Sequence, residues 1–206
     1  MHEETIATET KFVLDKIKEK DFQKQFYLAG GTALALHLGH RISVDLDFFT
    51  AENFSVSRTK EELSKLGKFE VTSEDADGTL NGILDGVSVS FFKYPYKNIY
   101  PTVPFDGIFL ADEKDISAMK IDAIASRGSR KDFTDIYFLL QKYHLSELIN
   151  FFETRYNTIH YNKLHILKSL CYFENAEKDP SPIMLKKVSW EEIKRTITYE
   201  AKKIIS

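Results

Sequence analysis

The sequence predicts an α+β protein in which a mixed sheet with flanking helices comes first and a bundle of helices follows. Up to about residue 112, short apolar runs rich in β-branched and aromatic residues alternate with helical stretches, separated by Gly and Asp turns. From Asp115 onward, apolar residues recur with helical period in every long segment. We therefore expect two domains, residues 1–112 and residues 113–206.

Composition sets wide bounds on function. The 206-residue chain is 43% hydrophobic and 29% charged with a formal net charge of −3, which supplies enough apolar material for a packed core. This balance neither requires nor excludes nucleic acid, because a local basic face can lie within a near-neutral total. The single cysteine, Cys171, cannot form an internal disulfide, and no apolar run approaches the roughly eighteen residues of a membrane span. We expect a cytoplasmic protein without membrane association.

The first half shows its elements in order through periodicity and turn residues. Residues 4–20 carry apolar side chains on one helical face, and FYLAG is a short apolar strand that runs into a Gly pair. Two further helices are predicted over 32–39 and 56–66, and a glycine marks the end of each. The remaining elements are the strands 44–49, 68–73, 79–86 and 87–94, and an irregular proline-rich connection over 94–107.

The second half is predicted to be helical throughout. Five segments have the 3.6-residue apolar period of helices that bury one face. They cover residues 115–128, 131–143, 145–157, 161–173 and 189–204.

Two acidic residues interrupt the apolar strand VDLDFF. Asp45 and Asp47 are two apart, so a strand places both on the same face, about 6.6 Å apart along the chain. Burying a carboxylate costs several kcal/mol unless a partner compensates it, so two on one face indicate a bound cation. Hard oxygen ligands favour Mg²⁺ or Mn²⁺ over zinc.

Upstream of these acids, Gly30 and Gly31 lie between a strand and a helix start. Glycines at this point let backbone amides approach a triphosphate, and the helix N-terminus favours its negative charge. Thr32 adds a hydroxyl in the first turn. A Gly pair alone is usually a tight turn, and an Asp-x-Asp pair alone occurs often on surface strands. Their combination, fourteen residues apart from Gly31 to Asp45 in apolar surroundings, favours a functional site.

A second group of charged residues lies in the helical half. Lys120 and Arg127 are seven apart and share one helical face, and Asp132 and Asp135 are three apart on the next helix. Lysine suits a triphosphate as a mobile point charge, and arginine suits it as a planar fork. Ion pairs that tie the two helices together are the alternative interpretation.

Both groups lie in stretches that resemble one protein family. GGTALALHLGHRISVDLDFF (30–49) and DISAMKIDAIASRGSRKDFTDIYFLL (115–140) resemble the two signatures of the AbiEii/AbiGii toxin-type nucleotidyltransferases, a branch of the DNA polymerase β-like superfamily. The resemblance implies a polymerase β-like core whose active site is completed by the helical domain. It also implies transfer of a nucleoside monophosphate from an NTP to a hydroxyl acceptor. RNA or tRNA is the implied acceptor, Mg²⁺ or Mn²⁺ the cofactor, and a cognate antitoxin the partner.

The resemblance also implies roles for individual residues. Asp45 and Asp47 would bind metal and Lys120 would contact nucleotide phosphate, while Asp132 or Asp135 would complete the site, as an activating base or by orienting Lys120. The nucleotide would be held by Gly30, Gly31, Thr32, Ser43, Lys120 and Arg127. Arg41 matches the family pattern as well, without an assigned role.

One departure concerns a third carboxylate that polymerase β-like enzymes usually carry on a later strand. In VSVSFFKY, Ser88 and Ser90 stand at the corresponding positions. Two alternatives therefore stay open: an antibiotic-type enzyme that modifies a small molecule, and a non-catalytic nucleotide-binding module with the same fold.

Overall fold

A computed structural model describes residues 1–205 of the chain. The chain divides into two compact units, Met1–Asp112 and Glu113–Ser206. No helix within residues 1–205 has both the length and the apolar character that crossing a membrane requires.

The first unit is built on one mixed sheet, which has seven strands in the described part of the chain. The strand order is β3-β4-β5-β2-β1-β7-β6, and the central strand β2 is parallel to β5 and antiparallel to β1. The strands are β1 (Tyr27–Leu28), β2 (Leu46–Thr50), β3 (Phe69–Asp75), β4 (Thr79–Leu84), β5 (Val87–Lys93), β6 (Val103–Phe105) and β7 (Ile108–Leu110).

Three α-helices accompany this sheet: α1 (Thr8–Lys18), α2 (Gly30–Leu38) and α3 (Val56–Ser64). Two short 3₁₀ helices, Glu3–Thr5 and Asp21–Gln25, lie on either side of α1. As predicted, α2 ends at Gly39, which takes the left-handed conformation (φ +65°) that glycine adopts without steric cost.

The central strand β2 is covered on both faces of the sheet. Leu46 and Phe48 are buried on one face, and the intervening Asp47 points to the opposite face. Phe48 stacks on Phe91 of β5 with ring centroids 5.0 Å apart. Phe49, which shares the face of Asp47, is buried as well, so the acidic residue lies at the border of a covered surface.

The prediction for the proline-rich connection was wrong in its last part. Residues 103–105 form β6, which pairs with β7 across a turn at Asp106 and Gly107, both with positive φ. Proline is tolerated there because β6 is an edge strand, so the missing N–H of Pro104 need not interrupt a central ladder.

The second unit is helical, as the sequence predicts, and also contains one short helix that was not predicted, α8. Its helices are α4 (Glu113–Ser126), α5 (Arg130–Leu139), α6 (Leu145–Arg155), α7 (Lys163–Ser169), α8 (Glu174–Glu177) and α9 (Trp190–Ile205). The fold class is therefore confirmed as α+β, with a mixed sheet first and helices after it.

A buried ion pair links α4 to α6. Arg155 Nη1 contacts Asp115 Oδ1, and both side chains are fully buried. Removing one partner of such a pair leaves an uncompensated buried charge, which typically costs about 3–5 kcal/mol. Loss of either partner should therefore destabilise the packing of α4 on α6.

Candidate active site

The Gly pair places backbone directly against charged side chains. Gly30 begins α2 with φ +66°, and a Cβ at this position would lie 2.6 Å from Asp47 Oδ2. At Gly31, a Cβ would lie 2.6 Å from Arg41 Nη2 and 3.3 Å from Ser43 Oγ. A side chain at either position would displace these charged groups, and at Gly30 the positive φ also favours glycine.

The start of α2 has the features of an anion site. Its N-cap residue, Ala29, offers no side-chain cap, and the nine-residue helix directs the positive end of its dipole to this end. The carboxylate of Asp47 lies beside the first residue, Gly30. Backbone amides and a carboxylate therefore meet at the point where a cation could bridge the carboxylate to a phosphate.

Asp45 and Asp47 are both half-buried, but only Asp47 lies within β2. The prediction that one buried strand carries both acids was wrong for Asp45, which directly precedes the strand. The Asp45 carbonyl oxygen accepts a hydrogen bond from the Thr32 hydroxyl. In contrast, the Asp47 carbonyl oxygen accepts the Ala29 amide at 2.9 Å.

Thr32, Ser43 and Arg41 lie beneath this surface. The Thr32 side chain is almost fully buried, and its hydroxyl also forms a hydrogen bond of 2.9 Å with the Ser43 hydroxyl. The guanidinium of Arg41 is buried beside Gly31 and donates to the Ile42 carbonyl oxygen at 3.2 Å. In this structure Thr32 supports the backbone of Asp45; direct contact of Thr32 or Ser43 with a nucleotide stays a prediction.

The strand next to Asp47 provides a hydroxyl where a third acid would stand. Asp47 pairs in register with Ser90, so the two side chains lie on the same face of adjacent strands. Ser90 is buried, and Ser88 is exposed. Within residues 1–205, no group of three or more His, Cys, Asp or Glu side chains is arranged to hold a metal ion. The role of Asp45 and Asp47 as metal ligands therefore stays a prediction.

The charged residues of the second signature form a buried network in the helical unit. Lys120 Nζ lies 3.0 Å from Asp132 Oδ1 and 2.6 Å from Asp135 Oδ2. Both aspartate side chains are fully buried, and the lysine side chain is 7% exposed. Arg127 approaches Asp132 with two nitrogens, Nε at 2.9 Å from Oδ2 and Nη2 at 3.1 Å from Oδ1, while its side chain stays 66% exposed.

Asp132 is an ionised hydrogen-bond acceptor at neutral pH. Burial by itself would raise its pKa, but the charge of Lys120 and the hydrogen bonds from Arg127 and Ser129 outweigh burial and lower the pKa to about 2. Ser129 is the N-cap of α5, and its hydroxyl donates to Asp132 Oδ2 at 2.7 Å. A carboxylate with so low a pKa is a weak base, so these contacts favour a role in orienting Lys120.

The structure therefore groups the predicted residues in two clusters, one in each unit. Interhelical ion pairs, the alternative interpretation of the second signature, are present between α4 and α5.

Sequence reasoning did not find Ser129, although a serine three residues before an acid is a common N-terminal helix signal. It also did not find the Asp115–Arg155 pair, for which the sequence offers no local signal. The two clusters are Gly30, Gly31, Thr32, Ser43, Asp45 and Asp47 in the first unit, and Lys120, Arg127, Asp132 and Asp135 in the second.

Comparison with known families decides the class of protein. The family model of the AbiEii nucleotidyl transferase toxin of type IV toxin–antitoxin systems matches residues 12–203. The chain belongs to this family. It is therefore a nucleotidyltransferase of the toxin type, and the resemblance seen in the two signatures is confirmed. Membership implies an NTP substrate and an antitoxin partner.

Individual proteins are similar to this chain in sequence or in fold. An uncharacterized protein from Aquifex aeolicus (strain VF5) is 42% identical over 183 residues, which cover 84% of this chain and 86% of the relative. A crystal structure of a proposed nucleotidyltransferase from H. pylori has a TM-score of 0.60 at 14% identity and covers 99% of this chain and 96% of its own. MenT4, a nucleotidyltransferase toxin from Mycobacterium tuberculosis H37Rv, has a TM-score of 0.54 at 13% identity, with 97% and 86% covered. The two structures support the fold of this AbiEii-family chain.

Proposed function

We propose that this AbiEii-family protein transfers a nucleoside monophosphate from an NTP to a hydroxyl group of RNA, with tRNA as the leading candidate. The hydroxyl oxygen bonds to the α-phosphorus and pyrophosphate leaves, and Asp45 and Asp47 hold the divalent cation required. The observation that carries the proposal is the approach of the Gly30 backbone to Asp47, in a space that a Cβ would fill. If a triphosphate lies at the start of α2, this close approach would let it share a cation with the two carboxylates.

The donor set fits Mg²⁺ or Mn²⁺. Mg²⁺ in phosphate-transferring enzymes is usually bound by one or two carboxylates together with substrate phosphates and water. Asp47 supplies a carboxylate beside Gly30 at the start of α2, and Asp45, two residues earlier and half-buried, would supply the second. When bound, the cation would neutralise charge that develops on the transferring phosphoryl group.

The protein side chains then have separate roles. The α2 amides would bind phosphate oxygens, and Thr32 and Ser43 would hold the Asp45 backbone in place, since their hydroxyls are engaged inside the protein. For Lys120, phosphate binding is the role implied by the family, with Asp132 and Asp135 keeping its ammonium group in a fixed position. Arg127 remains a proposed nucleotide ligand because most of its side chain is exposed.

Labelling tests the reaction and its acceptor. The protein is incubated with each α-³²P-labelled NTP, total RNA, a cell-extract small-molecule fraction, and Mg²⁺ or Mn²⁺. We expect label on RNA. Label on small molecules alone would refute the RNA acceptor, and NTP binding without any labelled product would indicate a non-catalytic module.

The double variant Asp45→Asn/Asp47→Asn tests the metal ligands. We expect loss of Mn²⁺ binding in calorimetry and loss of labelling, with the fold intact and a slightly higher melting temperature because two like charges are removed. The matched control is Glu61→Gln/Glu62→Gln, which removes two charges from the surface helix α3. Equal Mn²⁺ affinity in the Asn variant and the control would refute Asp45 and Asp47 as ligands.

A further inference from the structure

Residues 2–10, which we call the N-terminal strap, contact the loop that carries Asp45. The family model begins only at residue 12, so the strap lies ahead of the matched region. Its first contact is the His2 amide, which donates to the Leu36 carbonyl oxygen at 2.9 Å. The His2 ring also fills the space beside Gly39, where a Cβ would lie 2.6 Å from Nδ1.

The strap then pairs with the loop through its backbone. Ile6 and Ser43 form a parallel β-bridge. The Ser43 amide donates to the Thr5 carbonyl oxygen at 2.8 Å, and the Ala7 amide donates to the Ser43 carbonyl oxygen at 3.4 Å. Both backbone groups of Ser43 are thus bonded to the strap.

A side chain of the strap fixes the next residue. The Thr10 hydroxyl donates to the Val44 carbonyl oxygen at 3.0 Å, and the Thr10 side chain is almost completely buried. The Asp45 carbonyl oxygen is bonded to Thr32, as described above. The backbone is therefore held at three consecutive residues, Ser43, Val44 and Asp45. The strap supplies the contacts to the first two of them.

From these contacts we infer that the N-terminal strap is a positioning element of the metal site. Asp45 directly precedes β2 and lies outside the register in which Asp47 pairs with Ser90. The strap holds the backbone of Ser43 and Val44, and it thereby sets where the Asp45 carboxylate lies relative to Asp47. This inference rests on the proposed function, because it assumes that Asp45 binds the cation.

A purely structural strap would behave differently. Ile6 is buried, so the strap also contributes apolar surface to the first unit. If burial were its whole role, a variant that removes only the Thr10 hydroxyl would lower stability without changing metal affinity. A positioning role predicts a selective effect on the loop and on the metal.

Thr10→Val makes this distinction because valine keeps the shape of threonine and removes the donor. In the metal-free protein, we expect amide hydrogen exchange at Ser43 to become about fivefold faster. We expect Mn²⁺ affinity, measured by EPR, to fall about fivefold, the change that corresponds to about 1 kcal/mol for one hydrogen bond. Thr10→Ser retains the donor, so its Ser43 exchange rate and its Mn²⁺ affinity should stay close to those of the wild type. The control is Ile17→Val, which removes one buried methyl group at the far end of α1 and so lowers stability away from the strap.

Two results would overturn the inference in distinguishable ways. Thr10→Val protein that matches Ile17→Val in Ser43 exchange and in Mn²⁺ affinity would refute the positioning role and leave the proposed function in place. Wild-type protein that binds no Mn²⁺ would refute the metal site itself, and with it both proposals. Deletion of residues 2–7 is a second variant, and it should raise Ser43 exchange further because it removes the acceptor at Thr5.

Discussion

Replacing Gly30 with alanine should disturb the Asp47 carboxylate more than it disturbs the fold. The added Cβ would lie 2.6 Å from Asp47 Oδ2, whereas ordinary van der Waals contact begins at 3.4 Å, so the carboxylate would have to move by about 0.8 Å. Binding groups must usually stay within about 0.5 Å of their productive position. Mg²⁺ is especially demanding, since it requires near-ideal octahedral geometry with oxygens at about 2.0–2.1 Å.

The backbone cost of this variant can be controlled separately. Gly30 has φ +66°, and alanine in the left-handed region costs about 1–2 kcal/mol. For a chain of this length, each kcal/mol lowers the melting temperature by about 2–4 °C. Gly86 also has positive φ, +87°, but nothing lies within 4 Å of a Cβ built there. Gly86→Ala therefore has a comparable backbone strain without the collision.

The comparison of these two variants measures the effect of the collision. We expect similar losses of melting temperature, but at least a tenfold loss of Mn²⁺ and NTP affinity in calorimetry for Gly30→Ala only, equivalent to about 1.4 kcal/mol. If Gly30→Ala bound Mn²⁺ and NTP as tightly as Gly86→Ala, the close approach to Asp47 would have no part in binding. The close approach of Gly30 to Asp47 would then no longer support the proposed function.

Two further predictions concern individual carboxylates. The pKa of Asp132 is lowered from 3.8 to about 2, so its ionised form stabilises the folded state above about pH 4, and about 2 kcal/mol of stability should disappear as pH falls from 4 to 2. Urea denaturation across this range should show the loss, and Asp132→Asn should be less stable at neutral pH and lack this part of the pH dependence; an unchanged profile would contradict the assignment. Ser90→Asp would place a third carboxylate opposite Asp47, and we expect lower stability without metal together with about tenfold tighter Mn²⁺ binding, because the added charge is a further ligand. Calorimetry that shows unchanged Mn²⁺ affinity would mean that position 90 does not face the cation.

Local patterns predicted much of the fold correctly. The glycine start of α2 at Gly30, its end at Gly39 and the α+β fold class follow from residue types and short periods, because backbone sterics and amphipathic burial act over a few residues. The strand β6 was missed because proline argues locally against a strand, whereas its place at the sheet edge makes proline acceptable.

Contacts between distant residues had no such local signal. Thr10 bonds to a residue 34 positions away, and Arg155 pairs with Asp115 across 40 positions. Neither threonine nor arginine identifies its partner by type or spacing, since each can satisfy its hydrogen bonds in many ways. Such contacts exist only once the chain has folded and brought the groups together.

The sequence by itself contains the residues that we propose carry the chemistry: a Gly pair before a helix, two acids two apart, and a lysine and an arginine followed by two acids. Tertiary structure decided the state of these groups. It put Asp45 outside the strand, engaged the Thr32 hydroxyl, and surrounded Asp132 with cations that lower its pKa. The reason is that charge, burial and hydrogen bonding depend on distances through space, and the sequence fixes those distances only where the separation along the chain is short.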